Sequence, residues 1–141
     1  MTGFLLDTNC ISELVRAEPE PLVMRWIEDV DERLLFLSVL TIGEIRKGIA
    51  GLVAGKQRTK LESWLELEVK DRFSNRILAI DTDVAERWAL LSAKSKAQGK
   101  LLAVIDGLIA ATAQHYQLAI VTRNVSDFAQ TDVEIICPWP T

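Results

Sequence analysis

Cysteine and histidine are scarce in this 141-residue chain, which has two of the first and one of the second. Cys10 and Cys137 lie far apart, and neither has a second Cys or a His at metal-ligand spacing, which argues against a zinc site. Both read as reduced, mostly buried thiols. The lone His115 cannot supply a metal-free imidazole acid–base pair, and its place at the polar end of an Ala-rich segment marks it as a surface residue. No G-x-x-x-x-G-K-[ST] phosphate loop is present, which removes nucleotide hydrolysis of that kind. No stretch approaches the roughly 18 uncharged apolar residues of a membrane span. The start MTGFLLDTNC lacks the basic and long apolar regions of a signal peptide. A cytoplasmic protein with no membrane partner is expected. Repeats, low-complexity tracts and internal linkers are missing too, so residues 1–141 read as one domain.

The residues that are present describe an ordinary globule, 49% apolar and 26% charged. A chain of this length buries roughly 68–70% of its unfolded surface, enough for a core without covalent staples. The net charge of −4 argues against holding nucleic acid by bulk electrostatics alone. It is compatible with clustered carboxylates that recruit cations.

Short apolar runs alternate with segments of helical period. Phe4-Leu5-Leu6 reads as a buried strand ending at Asp7, with Thr8 or Asn9 capping a helix through Ile11, Leu14 and Val15. Glu18 to Pro21 is a break, and Pro21 suits the first turn of a helix bearing Leu22, Trp26, Ile27 and Val30. Residues 34–37 form a second strand, followed by a helix on Leu40, Ile42, Ile45 and Ile49 that ends near Gly51. Gly55 to Arg58 reads as a polar loop. Thr59-x-x-Glu62 has the form of a capping box opening a helix with Leu61, Trp64, Leu65 and Val69. A third strand at 77–80 leads through a cap at Asp81-Thr82-Asp83 to a helix on Val84, Trp88 and Leu91 that fades at Gly99. An Ala-rich helix over about 101–116 precedes strands at 119–122 and 133–136. Strands separated by helices imply parallel pairing through right-handed crossovers. The expected fold is a three-layer α/β/α sandwich with a mainly parallel sheet of about five strands.

In such sheets, sites form outside the carboxyl ends of the strands. Asp7 ends the first strand, Glu44 lies in the first turns of the helix after the second, and Asp106 lies early in the Ala-rich helix. Converging carboxylates repel one another unless a cation neutralises them. Hard oxygen ligands select Mg²⁺, with Mn²⁺ as an alternative, and Mg²⁺ uses only one or two carboxylates directly. Each acid also has a plainer reading: a turn residue for Asp7, a capping box with Thr41 for Glu44, and a helix-dipole partner for Asp106.

Four stretches stand out: Leu5-Leu6-Asp7-Thr8-Asn9, Thr41 to Gly48, Asp106 to Ala113, and Val121 to Phe128, with the ending Cys137-Pro138-Trp139. Together they resemble the PIN-domain toxins of the VapC family, in particular the branch typified by the fast-intracellular-trafficking protein B. The likeness spans essentially the whole chain. It implies a Mg²⁺-dependent endoribonuclease, the toxin of a type II toxin–antitoxin pair, neutralised by a small antitoxin that binds operator DNA. A homodimer is implied in the same way. Asp7 and Asp106 would be the main metal ligands, Glu44 the third acid, and Thr8 and Asn9 the groups that hold Asp7 in place. The family's fourth acidic position is here Asn124, which carries no charge. A second metal is therefore in question, with Asn124 holding water or Asp127 substituting if its loop bends inward, against a loop-capping role for Asp127.

Arg123, Arg46 and Lys47 are the candidate RNA-phosphate contacts, Arg123 foremost because it adjoins the acids. The helices bearing Trp26, Trp64 and Trp88 offer surface for self-association or an antitoxin groove, although core packing is expected for at least two of the three. Two other functions compete. A PIN-like binding module weakened in catalysis, serving in an antitoxin/DNA complex, would explain Asn124. A phosphoacceptor or phosphatase domain would use the strand-end Asp7, but it wants an acid at Asn9 or a lysine near Thr122-Arg123.

Overall fold

In the computed structural model, which describes residues 2–141, five parallel strands form one sheet in the order β3-β2-β1-β4-β5. They are β1 (Phe4–Leu6), β2 (Leu35–Ser38), β3 (Ile77–Leu78), β4 (Ala119–Val121) and β5 (Ile135–Ile136). The chain leaves β1 toward β2 and β3 on one side and returns to β4 and β5 on the other. The strand order thus reverses between β1 and β4, where a crevice opens at the carboxyl ends of an open sheet. Register brings Leu6 opposite Val121, and the Asp7 N–H donates to the Val121 carbonyl at 2.9 Å. Asp7 and Thr122 therefore emerge side by side from the two central strands.

Alternation along the strands splits the core in two. Leu6, Leu35, Leu37 and Val121 face one layer with Cys10, Ile11, Val23, Ile45 and Leu65. Leu5 and Ile120 face the other, with Val84, Leu91, Ile109 and Ala110. The first layer is built from α1 (Thr8–Ser12), α2 (Pro21–Asp29), α3 (Val39–Ala50), α4 (Lys56–Ser63) and α5 (Lys70–Arg72). The second contains α6 (Thr82–Ala97) and α7 (Val104–Tyr116). Trp26 and Trp64 pack against the first core and Trp88 against the second.

Several local expectations need correction. Asp7, not Thr8 or Asn9, caps α1, its side chain accepting from the Thr8 N–H. Residues 56–58 are helical, because α4 already starts at Lys56 after Gly55, whose φ of 158° is open to a residue without a side chain. Thr59 then lies inside α4 and opens nothing. A π-helical turn over Trp64–Val69 joins α4 to α5 and carries buried Leu65 and Val69 inward. Cys10 is buried as expected, but Cys137 is exposed beyond the edge strand. Among the described residues, no helix is long and apolar enough to cross a membrane.

Candidate active site

Asp7 is pinned from both sides. Its Oδ1 accepts from the Thr8 N–H at 2.9 Å and its Oδ2 from the Thr122 hydroxyl at 2.8 Å. Thr122 is fully buried and also receives the Asn124 N–H at 3.0 Å and, more weakly, the Asn9 amide at 3.4 Å. Asn9 in turn accepts the Arg123 N–H at 3.3 Å. One hydroxyl thus ties the end of β4 to the start of α1. Glu44 joins from α3, its Oε1 accepting from the Thr8 hydroxyl at 2.6 Å.

The plain reading of Glu44 fails. Ser38 caps α3, accepting the Leu40 N–H at 3.0 Å, while Thr41 is buried inside the helix with its hydroxyl unpartnered. Asp106 comes from the first turn of α7. Its place depends on Gly107, where a Cβ would meet Trp88 Cδ1 at 2.9 Å. The missing side chain lets the Trp88 ring of α6 lie against α7 and brings the two helices close together.

Asp7, Thr8, Asn9, Glu44, Asp106 and Asn124 line one open cleft of about 420 Å³. Asp106 also borders an adjoining hollow shared with Lys100 and Asp127. The carboxylates feel one another. Burial raises the Asp7 carboxyl above its ordinary range and the charges of Glu44 and Asp127 raise it further, against the hydrogen bonds from Thr122 and Thr8. Asp106 is raised by burial and then by Asp127, Asp7 and Glu44.

No trio of these acids brings its oxygens within 4.8 Å among the described residues; Asp81, Asp83 and His115 do. Asp81 is already engaged as the cap of α6, accepting the Val84 N–H at 2.9 Å, and its group is exposed or half-buried. His115 lies roughly 13 Å farther along α7 than Asp106 by helical rise, and this group does not line the acidic cleft. Asp7 and Glu44 each hold a hydroxyl or amide partner, whereas Asp106 is set by its place in α7. An all-oxygen set with anions raised by burial and mutual repulsion fits a hard divalent cation, which keeps several of its waters between itself and such ligands.

A family model described as PIN domain matches residues 4–134. The chain belongs to the PIN-domain family. It is 42% identical over 135 residues to the VapC ribonuclease Y4jK of Sinorhizobium fredii, covering 96% of each chain. It is 38% identical to Toxin FitB of Neisseria gonorrhoeae, covering 96% of this chain and 97% of that one. The crystal structure of FitAcB from the same organism matches with a TM-score of 0.93 at 38% identity, over 98% of this chain and 99% of that one. The structure of FitAB bound to an IR36 DNA fragment matches with a TM-score of 0.93 at 36% identity, over 98% and 96%.

In this PIN domain the basic residues expected at the RNA part company. Arg123 lines the cleft. Arg46 is turned away into an ion pair with Glu66, and Lys47 is not among the cleft-lining residues. Asp127 makes no capping hydrogen bond; it sits in a 3-10 turn over Val125–Phe128, where its charge acts on Asp106 and Asp7. Sequence reading missed Thr122, whose signal is a hydroxyl residue directly after the apolar β4 run. It also missed Glu13 and Arg16, which line the same cleft.

Proposed function

We propose that this PIN domain is the ribonuclease toxin of a type II toxin–antitoxin pair and hydrolyses RNA phosphodiester bonds with Mg²⁺, or Mn²⁺, held by Asp7, Glu44 and Asp106. The observation that carries this reading is the meeting of three acids, from the end of β1, from α3 and from α7, at the carboxyl-end crevice. The names of the relatives, a VapC ribonuclease and a toxin, agree with it. When bound, the cation polarises a phosphate oxygen and lowers the pKa of a water for in-line attack.

The chain's own groups supply positioning. Thr8 and Thr122 fix both oxygens of Asp7, and Thr8 ties the two acids together, its N–H donating to Asp7 and its hydroxyl to Glu44. Arg123 stands at the cleft to meet the backbone of the RNA, a contact that positions without reading sequence. Asp127 lends the charge that Asn124 lacks, which weighs against a module weakened in catalysis. Asn124 borders the cleft as a hydrogen-bonding group.

Two partners follow from the same reading. An antitoxin fits the apolar groove of about 570 Å³ between Leu14, Val15, Leu61, Trp64 and Leu67. A second copy of the chain fits the entry to α7, where Leu101, Val104 and Ile105 are 94%, 58% and 40% exposed. The test is cleavage of RNA by the purified protein. Mg²⁺ should support it and EDTA abolish it, and Asp7→Asn and Asp106→Asn should each slow it about a thousandfold or more. Expression of the wild type should arrest bacterial growth and that of either variant should not. Cleavage at the wild-type rate in Asp7→Asn would refute the assignment.

A further inference from the structure

We propose that Arg16 binds an RNA backbone phosphate at the cleft, and that buried Glu13 is the residue positioning it; this rests on the ribonuclease reading above. Five carboxylates at or beside the cleft repel an approaching phosphodiester, so cations at its rim decide whether RNA can settle there. Only Arg16 and Arg123 among the residues lining the cleft carry positive charge. Arg123 is tethered through its backbone N–H alone. Arg16 is tethered through its guanidinium, whose Nη1 donates to Glu13 Oε2 at 3.0 Å while the side chain stays 54% exposed.

Glu13 is built to hold a charge. Its side chain is 3% exposed and accepts the Arg16 guanidinium, the Glu20 N–H at 3.0 Å and the Trp139 indole N–H at 3.2 Å. The Glu20 N–H bonds one carboxylate oxygen and the Trp139 indole the other, so both acceptors of the carboxylate are used and its buried charge needs a cation. The charge is matched by Arg16. A guanidinium has five N–H donors, and the single bond to Glu13 leaves others able to grip a phosphate in bidentate fashion. Because the tether has already ordered the side chain, less freedom is lost on binding.

The test is fluorescence anisotropy with a short fluorescein-labelled single-stranded RNA, across a KCl series in a Mg²⁺ buffer, using full-length Asp7→Asn as parent to suppress cleavage. Adding Arg16→Ala should weaken binding about tenfold at low salt and flatten log K against log[salt] by about 0.7. Arg16→Lys should keep the slope and lose about threefold in affinity, because charge survives but the fork does not. Glu13→Gln should likewise keep the slope and weaken binding roughly threefold, because the guanidinium must then be ordered by the RNA. If Glu13→Gln does not fold, Trp139→Phe loosens the same carboxylate and takes its place. Wild-type affinity and slope in Arg16→Ala would overturn the proposal, whatever happens to its melting temperature. No RNA binding by the parent itself would overturn the ribonuclease reading and this proposal together.

Discussion

Asp7 and Glu13 stand six residues apart on the same stretch of chain and border the same cleft, yet their carboxyls are shifted in opposite directions. Glu13 is the more buried of the two, at 2% exposure. Burial pushes its pKa up, but the Glu20 N–H, the Trp139 indole and Arg16 outweigh that and leave it below its ordinary value. Asp7 has two hydrogen bonds and no cation, and burial with its acidic neighbours leaves it raised. The difference separates two uses of a carboxylate. Glu13 is complete within the protein, whereas Asp7 is stabilised as an anion only when positive charge arrives from outside.

Removing the self-sufficient acid should have the largest effect on the fold. Glu13→Ala strands the Glu20 N–H and the Trp139 indole and should destabilise the protein by about 3 kcal/mol at pH 7, read from urea unfolding. Its folded pKa lies below the 4.5 of a free glutamate, so the stabilisation is complete above that value. The stabilisation fades as pH falls through the folded pKa, and the gap between wild type and variant should narrow there. A gap that stays constant down to acid pH would place the loss in packing and not in the carboxylate.

Gly107→Ala sharpens the comparison from the other side of the site. A Cβ would lie 2.9 Å from Trp88 Cδ1 and push α7, with Asp106, away from α6. A loss of about 2 kcal/mol is expected in thermal unfolding, with RNA cleavage falling beyond what the unfolded fraction explains. Trp88→Phe in the same background, which trims the ring, should restore part of both.

The smallest effect should be a gain. Because the folded pKa of Asp7 is above the 3.8 of a free aspartate, its ionisation opposes folding increasingly as pH rises from 3.8 through the folded value. Asp7→Asn in EDTA should therefore raise Tm by roughly 2 °C at pH 7 and by nothing near pH 3. A lower Tm at pH 7 would mean that the hydrogen bonds from Thr8 and Thr122 outweigh the repulsion.

The strands and the parallel sheet were legible because short apolar runs alternate with segments of helical period. The rule that sites form outside the carboxyl ends of such strands pointed to Asp7, Glu44 and Asp106, which line one cleft. Asp81 as the cap of α6 was legible from local pattern too. The errors arose where a local pattern had two physical meanings. Thr59-x-x-Glu62 matches a capping box, but Gly55 allows α4 to begin four residues earlier. Thr122, Glu13 and Arg16 were illegible because their partners lie far off in the chain: Thr122 bonds Asp7, and Glu13 bonds Trp139 at the opposite terminus. Cys137 was judged by residue type, whereas the end of an edge strand leaves it exposed.

The most direct test is calorimetric titration of Mg²⁺, and of Mn²⁺, into the purified chain without RNA. Binding should be clear in the wild type, lost in Asp7→Asn and Asp106→Asn, and unchanged in Asp81→Asn, which alters the tighter but separate group at the start of α6. Undiminished binding in Asp7→Asn together with its loss in Asp81→Asn would move the cation away from the cleft and contradict the account.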